Sequence, residues 1–353
     1  MGAIINSVGI YSPERILTNQ NLEKILKASG RETSNDWIIK RTGIRKRRIA
    51  AEHESTETMA VEAAKNALEK LQTEIPPVEH IIIATNTSER KFPNVAGFVR
   101  GELDKSHPHM IKPLTAGTDC YGGCGGINLA LMQADALTKA GFYKTILVIG
   151  TEKLSDVTDY SDRGTCILFG DGASAYILTQ NEGRRGFLGH MSRGFGDKRE
   201  LITCEENQIK VTFAEAVRAV EEKRSPIKSR GRVLRMNGKA VYGFVVKEWR
   251  ELIEKFSENE RLNPDGVSFT NINAISPHLA NLRMLESINE TYPGFLEKCN
   301  LKNRENEWFC NTSTASQGRR DQNFLETSSS GEYLLKFGQG AGLVSCANFY
   351  QNP

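Results

Sequence analysis

The chain has 353 residues, a formal net charge of +3 and 39% hydrophobic residues. This length can bury a large core, as one large domain or two medium ones. The near-neutral charge argues against a general polyanion surface, so nucleic acid is not expected as a partner. No run of about 18 apolar residues occurs, so no membrane span is predicted. Seven cysteines without a signal-like start indicate a reducing cytoplasm, and six scattered histidines without a Cys-x-x-Cys pair predict no metal site.

Strands and helices alternate along the chain and predict an α/β fold. Apolar β-branched runs predict buried strands at 3–8, 80–84, 145–149 and 175–178, and helical periodicity predicts helices at 55–71, 94–103 and 127–140. Such alternation is typical of a mostly parallel sheet with covered faces. The second half repeats the scheme more weakly, with helices at 241–256 and 282–292 and strands at 273–276 and 333–337. The polar stretch 180–186 predicts a domain boundary near residue 180.

Cys124 is the most informative residue of the sequence. It lies in a Gly-rich turn, residues 119–126 (DCYGGCGG), that opens the predicted helix at 127–140. At a helix N-terminus, unpaired N–H groups and the helix dipole are expected to stabilise a thiolate. The neighbouring glycines leave room for a ligand to approach closely. We therefore predict that Cys124 is a nucleophile.

Two further polar segments supply partners for this thiol. His278 lies in residues 276–283 (SPHLANLR), and Asn311 lies in residues 310–316 (CNTSTAS). Taken singly, each residue is more often structural, as a small buried cysteine or as a hydrogen-bonded histidine or asparagine. Small polar turns surround all three, however, and this context favours a catalytic set in the order Cys, His, Asn.

From end to end, the chain resembles the β-ketoacyl-acyl carrier protein (ACP) synthase III enzymes of the thiolase superfamily. The resemblance rests on residues 9–13 (GIYSP), 37–50 (WIIKRTGIRKRRIA), 92–93 (FP), 162–165 (DRGT) and 168–173 (LFGDGA), and on the His and Asn segments. It implies a thiolase-like five-layered αβαβα fold with two similar halves. Residues 1–180 would carry the nucleophilic cysteine, and residues 181–353 would carry the histidine and the asparagine.

The resemblance also implies a decarboxylating Claisen condensation. An acyl-CoA starter would acylate Cys124, and malonyl-ACP would then lose CO2 and condense with the acyl group, which initiates fatty-acid or related biosynthesis. Loss of CO2 builds negative charge on the malonyl thioester oxygen, and neutral His278 and the Asn311 amide can both donate hydrogen bonds to that oxygen. A carboxylate in place of Asn311 would repel the enolate, so the asparagine favours decarboxylation.

By resemblance, the other substrate contacts fall on named residues. The backbone N–H groups of Cys124 and Gln339 would form an oxyanion hole for the acyl group, and Gln339 replaces a usual glycine, which adds a side chain near the site. The CoA-binding residues would be Thr33, Trp37, Arg41 and Arg163. A flat indole and a guanidinium plane suit stacking on both faces of adenine, so Trp37 and Arg163 would sandwich that ring. Acyl-CoA would be a substrate, and no cofactor is implied.

The family pattern also predicts partner contacts. Arg283 would dock the carrier protein, because an arginine beside a tunnel mouth can pair with a phosphate or with carrier carboxylates. Phe92 would reach across a two-fold interface towards the acyl pocket of a second copy, so a homodimer is expected. Both assignments are implied by the resemblance.

Residues 204–231 depart from the family pattern. The spacing of Phe213, Ala216, Val217 and Val220 predicts an amphipathic helix, and five basic residues surround its end: Lys223, Arg224, Lys228, Arg230 and Arg232. Two interpretations of this segment stay open. It is a solvated surface insertion, or it is functional, as a flap near the acyl tunnel or as a docking patch for an acidic carrier protein.

Several residues expected to form pocket walls are also replaced, for example by Cys310 in place of a glycine. Two alternatives therefore stay open. One is an acyltransferase that moves the acyl group to a small acceptor in secondary metabolism, and the other is a catalytically silent subunit of a heterodimer. The intact Cys, His and Asn argue against the silent subunit.

Overall fold

A computed structural model describes residues 2–90, 92–183, 185–300 and 310–353. Its strands are Ile4–Tyr11 (β1), Arg15–Thr18 (β2), Lys46–Ile49 (β3), Val78–Ala84 (β4), Ile111–Cys120 (β5), Thr145–Glu152 (β6), Gly172–Thr179 (β7), Gly186–Gly194 (β8), Ile202–Lys210 (β9), Ser229–Met236 (β10), Ala274–Pro277 (β11), Tyr333–Gly340 (β12) and Val344–Gln351 (β13). Its α-helices are Asn19–Ala28 (α1), Asn35–Thr42 (α2), Thr56–Glu69 (α3), Val95–Ser106 (α4), Gly126–Lys139 (α5), Phe213–Glu221 (α6), Gly238–Glu254 (α7), Leu282–Thr291 (α8), Phe295–Lys298 (α9) and Gly318–Thr327 (α10). Every element that the sequence predicts is present. Within the described residues, no helix combines the length and the apolar character needed to cross a membrane.

The first large sheet has the strand order β1-β7-β6-β4-β5. Strand β4 pairs in parallel with β5 and β6, whereas β7 pairs antiparallel with both β6 and β1. The expectation of a mostly parallel sheet is therefore wrong, and the sheet is mixed. The chain turns back from β6 to β7 through a connection without an α-helical crossover, and a parallel pair would need such a crossover.

The second large sheet has the order β11-β12-β13-β8. Strands β11 and β12 are parallel, and the other two pairs are antiparallel. The predicted division at residue 180 falls between β7, in the first sheet, and β8, in the second, so each half would contain one large sheet. The similarity of the halves 1–180 and 181–353 stays a prediction.

Helices and sheets alternate in five layers. Helices α3 and α4 cover the outer face of the first sheet, and α7 and α8 pack in the core on the outer face of the second. Helix α5 lies between the sheets and contacts strands of both, and α10 contacts β1, β7 and β11. Strands β6 and β7 are buried along their whole length, which explains their continuous apolar runs. The predicted αβαβα arrangement is confirmed.

The segment 204–231 takes part in a separate two-stranded sheet. Strands β9 and β10 form an antiparallel pair, and the predicted helix is present as α6 between them. Ala216 and Ala219 are buried, and α6 packs on α1. The segment is therefore built into the domain surface, while its status as an insertion stays a prediction.

Candidate active site

Cys124 lies in a short 3-10 turn, Gly123–Gly125, that leads directly into α5. The glycine-rich end of β12 lies against this turn. A Cβ atom on Gly340 would come within 2.5 Å of the Cys124 backbone nitrogen, and one on Gly123 would come within 2.2 Å of the Ala341 nitrogen. Gly123 also has a φ of +54°, which favours glycine. The glycines therefore allow the backbone at the end of β12 to lie close to the backbone of the turn that carries Cys124.

Burial of the Cys124 sulfur opposes ionisation of its thiol. Burial raises the pKa of the thiol to about 12, and the nearby Glu152 carboxylate adds to this rise. Hydrogen bonding to Ser313 and to the backbone N–H of Cys124 lowers the thiol pKa, but burial outweighs it. Desolvation of the buried sulfur therefore opposes the thiolate stabilisation that is expected from the helix start, which stays a prediction.

His278 follows β11 and is fixed by its backbone and its ring. Its N–H donates to the carbonyl of Phe337 at 2.8 Å, and its Nδ1 lies 2.7 Å from the Ser316 hydroxyl. Burial, followed by the charge of Arg320, lowers the pKa of His278 to about 3, so the ring is neutral at neutral pH. A neutral ring that accepts the Ser316 proton at Nδ1 carries its own proton on Nε2, where it can serve as a donor.

Asn311 is held by backbone pairing with the loop before β7. Its N–H donates to the Leu168 carbonyl and its carbonyl accepts from Gly170, both at 3.0 Å. The side-chain Oδ1 accepts the Ser313 N–H at 2.9 Å, which leaves the amide nitrogen as the donor end. Cys310 packs closely against Gly170. A Cβ atom at position 170 would lie 2.7 Å from the Cys310 Sγ, so a cysteine at position 310 needs a glycine at position 170.

The segment Asn311–Ser316 brings the three predicted residues together. Its first residue is the candidate donor Asn311, hydrogen bonding to Ser313 lowers the pKa of the Cys124 thiol, and the Ser316 hydroxyl contacts the His278 ring. The three residues come from segments more than thirty residues apart along the chain. Their catalytic roles stay predictions.

Gln339 lies on β12 between two glycines that face the Cys124 turn. Its side chain accepts from the Trp249 indole N–H and donates to the Ser345 hydroxyl at 3.0 Å. Because side chains alternate along a strand, it points to the face opposite the one that meets the Cys124 backbone. The role of its own N–H in an oxyanion hole stays a prediction.

Two adjoining clefts contain most of the predicted substrate residues. One, of about 470 Å³, is lined by Trp37, Arg41 and Arg283 and reaches Asn311. The other, of about 910 Å³, is lined by Trp37 and Arg163. Both clefts also share Gly164. Thr33 is not part of either lining, and its hydroxyl is buried without a hydrogen-bond partner.

The Arg163 guanidinium stacks directly on Trp37, with its carbon 4.4 Å from the indole centroid. It also donates to the Glu32 carbonyl at 2.8 Å. A ring inserted between the two planes would need about 7 Å, two van der Waals contacts of ~3.5 Å each. The predicted adenine sandwich therefore requires Arg163 to swing away from the indole.

The basic cluster of residues 223–232 is not a uniform charged patch. Arg224 pairs with Glu215 at 2.6 Å and with Glu222 at 2.5 Å. Arg232 donates to the carbonyls of Thr87 and Ser88, which ties β10 to the loop after β4. Lys228 lines the larger cleft. Only part of the cluster is therefore available to a partner.

Glu152 is a residue of the site that the sequence reasoning missed. It ends β6, is completely buried, and accepts hydrogen bonds from Asn86 and from the hydroxyls of Ser313 and Thr314. Burial raises the pKa of its carboxyl, and these hydrogen bonds oppose the rise. An acidic residue at the end of an otherwise apolar strand was the signal in the sequence.

Phe92 lies in the loop after β4, and 89% of its surface is exposed. Leu114, on the edge strand β5 of the same sheet, is 92% exposed. These are the most exposed large apolar residues among those that the structure describes.

Comparisons with known proteins agree with this geometry. Residues 118–193, which include Cys124, match the family model described as 3-oxoacyl-[acyl-carrier-protein (ACP)] synthase III. The chain is 34% identical over 296 residues to beta-ketoacyl-[acyl-carrier-protein] synthase III 2 of Bacillus subtilis (strain 168), which covers 84% of this chain and 82% of the relative. It is 33% identical to the synthase III of Aquifex aeolicus (strain VF5), over 82% of this chain and 80% of the relative.

Solved structures give the same result. The synthase III crystal structure from Aquifex aeolicus VF5 superposes with a TM-score of 0.79 and 31% identity, covering 99% of this chain and all of the other. The structure from Thermus thermophilus gives a TM-score of 0.80 at 29% identity, covering 99% of each chain. The five-layered architecture is thus the thiolase-like fold of these enzymes. On this agreement in sequence and structure, the chain belongs to the β-ketoacyl-ACP synthase III family.

Proposed function

We propose that this protein catalyses the decarboxylating condensation of an acyl-CoA starter with malonyl-ACP, through an acyl group carried on Cys124. The product is a β-ketoacyl-ACP, and the reaction initiates fatty-acid synthesis. The observation that supports it most directly is that one segment, Asn311–Ser316, carries the candidate donor Asn311, contacts the His278 ring through Ser316 and lowers the pKa of the Cys124 thiol through Ser313. A thioester on Cys124 would divide the reaction into acyl transfer and carbon–carbon bond formation.

The second step needs hydrogen-bond donors for the enolate oxygen. His278 is neutral, and when its Nδ1 accepts the Ser316 hydroxyl proton, its Nε2–H serves as a donor for the enolate oxygen. The Oδ1 of Asn311 is occupied by the Ser313 N–H, so the amide nitrogen is the second donor. Two neutral donors stabilise developing negative charge without holding a bound anion too tightly in the ground state.

The thioester substrates would enter through the two adjoining clefts. The smaller cleft leads to Asn311 and would hold the pantetheine arm, with Arg41 and Arg283 at its sides. The wider cleft would hold the nucleotide of CoA beside Trp37 and Arg163. Arg283 is exposed at the start of α8, where it could pair with an acidic carrier protein.

Two measurements on the purified protein test the reaction. Intact-mass analysis after incubation with a panel of acyl-CoAs should show one acyl group added, and the modified residue should be Cys124. The acylated protein should then release CO2 from malonyl-ACP. Acylation without CO2 release, together with transfer to a small alcohol or amine, would favour the acyltransferase alternative.

Trp37→Ala is expected to raise the apparent KM for acyl-CoA and to leave kcat nearly unchanged. Stacking of a base on an aromatic ring contributes about 1–3 kcal/mol, which corresponds to a KM increase of roughly 5- to 150-fold. An acyl-pantetheine, which lacks adenine, should show no such increase. Trp37→Phe keeps a smaller aromatic ring, so its apparent KM for acyl-CoA should lie between those of the wild-type protein and Trp37→Ala. Equal KM increases for both substrates would contradict adenine binding at Trp37.

A homodimer with Phe92 at its interface is part of this proposal. The edge strand β5 has unpaired backbone groups on one side, and Phe92 exposes its apolar side chain in the loop that follows the neighbouring strand β4. A free sheet edge with exposed apolar side chains is a typical surface for pairing with a second copy.

Phe92→Asp is expected to weaken this dimer and to reduce acylation together, because a charge would be buried at the interface centre. Sedimentation velocity and the acylation assay check both effects. Phe142→Asp is the matched control. Phe142 is also exposed, but it precedes β6, which runs parallel to β4, so it lies at the opposite end of the sheet. A fully active monomer, in either the wild-type or the Phe92→Asp protein, would contradict the dimer proposal.

A further inference from the structure

The larger cleft, of about 910 Å³, has one wall formed partly by the segment 204–231, which departs from the family pattern. The other walls come from the region of α1 and α2 and from the loop before β7, and they contain Trp37 and Arg163. The remaining wall consists of Ile209 on β9, Lys228 directly before β10 and Arg235 on β10. Part of the departing segment therefore lines the cleft that is proposed for the CoA nucleotide.

The cations in and beside β9 and β10 fall into two groups. Lys210, Arg230 and Arg232 each donate to backbone carbonyls, so their charges help to hold the fold together. The side chains of Lys228 and Arg235 form no hydrogen bond or ion pair with any other residue that the structure describes. Both are exposed, and both line the cleft. Their charges are therefore available to a ligand in this cleft.

The carboxylates of the cleft are mostly engaged by the protein itself. Asp159 accepts two backbone N–H groups and one hydroxyl at 2.7–3.0 Å. Asp162 accepts one backbone N–H and one hydroxyl, both at 2.8 Å. Glu32 is the third carboxylate of the lining, and opposed to it are Arg31 and the two cations without partners. The lining therefore favours an anionic ligand, and phosphate groups suit lysine and arginine donors.

The order of residues along β10 fits the chemical order of CoA. Met236 and Gly238 line the smaller cleft, which would hold the pantetheine arm, and Arg235 lines the larger cleft directly beside them. In CoA, the diphosphate follows the pantetheine arm, and the 3′-phosphate lies further on, on the ribose. The diphosphate would therefore come near Arg235, and the 3′-phosphate would lie towards Lys228 at the other end of the strand.

We propose that Lys228 and Arg235 bind the phosphate groups of CoA, with Arg235 on the diphosphate and Lys228 on the 3′-phosphate. This role rests on the proposed use of acyl-CoA, and it adds recognition of phosphate charge to the stacking at Trp37. A phosphate monoester carries a charge of about −1.5 to −2 at neutral pH, so a lysine is an effective partner. A phosphopantetheine arm on a carrier protein has no 3′-phosphate, so Lys228 would favour CoA thioesters over carrier thioesters.

Calorimetric titration with three probes tests the two contacts separately. CoA has the diphosphate and the 3′-phosphate, 3′-dephospho-CoA has only the diphosphate, and pantetheine has neither. Lys228→Gln should raise the Kd of CoA by roughly 5-fold, the upper range for an exposed ion pair, and leave the Kd of 3′-dephospho-CoA unchanged. Arg235→Gln should raise the Kd of both nucleotides by a similar factor and leave that of pantetheine unchanged. Lys228→Arg should bind CoA like the wild-type protein.

Arg230→Gln is the matched control. Arg230 lies on β10 between the two proposed residues, so its replacement removes the same charge from the same strand. Its guanidinium donates to the Asn207 carbonyl at 3.0 Å and is not part of the cleft lining. The Kd of CoA should therefore stay within about 2-fold of the wild-type value. In the wild-type protein, added salt should narrow the difference between CoA and 3′-dephospho-CoA, because salt screens exposed charges.

Equal Kd values for CoA and 3′-dephospho-CoA in the wild-type protein would overturn the assignment of Lys228, and so would an equal effect of Lys228→Gln on both. Unchanged nucleotide binding in Arg235→Gln would overturn the assignment of Arg235. An unchanged Kd of CoA in Lys228→Gln, together with a raised KM for malonyl-ACP, would show that this wall binds the carrier protein instead. If the protein prefers CoA over 3′-dephospho-CoA but gains no acyl group from any acyl-CoA, the proposed function fails and the phosphate site stands.

Discussion

Replacing Cys124 by serine is expected to abolish both acyl transfer and condensation. A serine hydroxyl has a far higher pKa than a thiol, and even the buried Cys124 thiol has a pKa near 12, so the alkoxide is not accessible at neutral pH. The substitution is nearly isosteric and keeps the turn and α5 intact. Intact mass after incubation with acyl-CoA should show no added acyl group, and no β-ketoacyl-ACP should form.

Cys120→Ser is the matched control for this prediction. Cys120 lies four residues earlier, at the end of β5, and burial raises the pKa of its thiol to about 11. It does not begin a helix, so its replacement should leave acylation intact. An acyl-enzyme that forms in Cys124→Ser at near the wild-type rate would refute the assignment. So would an acyl label that maps to Cys120 or Cys310.

Strand β6, which is buried on both faces, could be predicted from the sequence, whereas the exposed edge strand β5 could not. Strand β6 reads as an unbroken apolar run because both of its faces are covered. Strand β5 was missed because it lies at the sheet edge and is mostly exposed, and residues such as Lys112, Pro113 and Thr115 give it neither an apolar run nor a clean alternation. The direction of β7 was also missed, because strand direction depends on connections that a local pattern does not describe.

In the candidate site, too, local sequence patterns indicate some features and do not describe others. The turns around Cys124, His278 and Asn311 are local features, so the sequence could point to them. The environment of the thiol is not local, because it depends on Glu152 and Ser313, which are 161 residues apart and meet only in the fold. The helix start is visible in the sequence, but the burial that raises the pKa of the sulfur is not, and the expected stabilisation of a thiolate stays a prediction.

Asn311→Ala is expected to lose decarboxylation far more than acyl transfer. The Asn311 amide nitrogen is the donor for the enolate oxygen, and one lost donor of this kind slows a reaction by about 10²–10³. Acylation does not form an enolate, so its rate should change little. The rate of CO2 release from malonyl-ACP by the acylated protein, compared with the rate of acyl-enzyme formation, measures the two steps separately.

Asn311→Asp makes this test sharper. Alanine removes both the donor and the Oδ1 that accepts the Ser313 N–H at 2.9 Å, so it could disturb Ser313 and thereby the thiol. Aspartate keeps that acceptor and replaces only the amide nitrogen by an oxygen. It should therefore acylate like the wild-type protein, yet decarboxylate at least as poorly as Asn311→Ala, because a carboxylate repels the enolate. If Asn311→Asp releases CO2 at the wild-type rate, or if both variants lose the two steps equally, Asn311 does not act on the enolate.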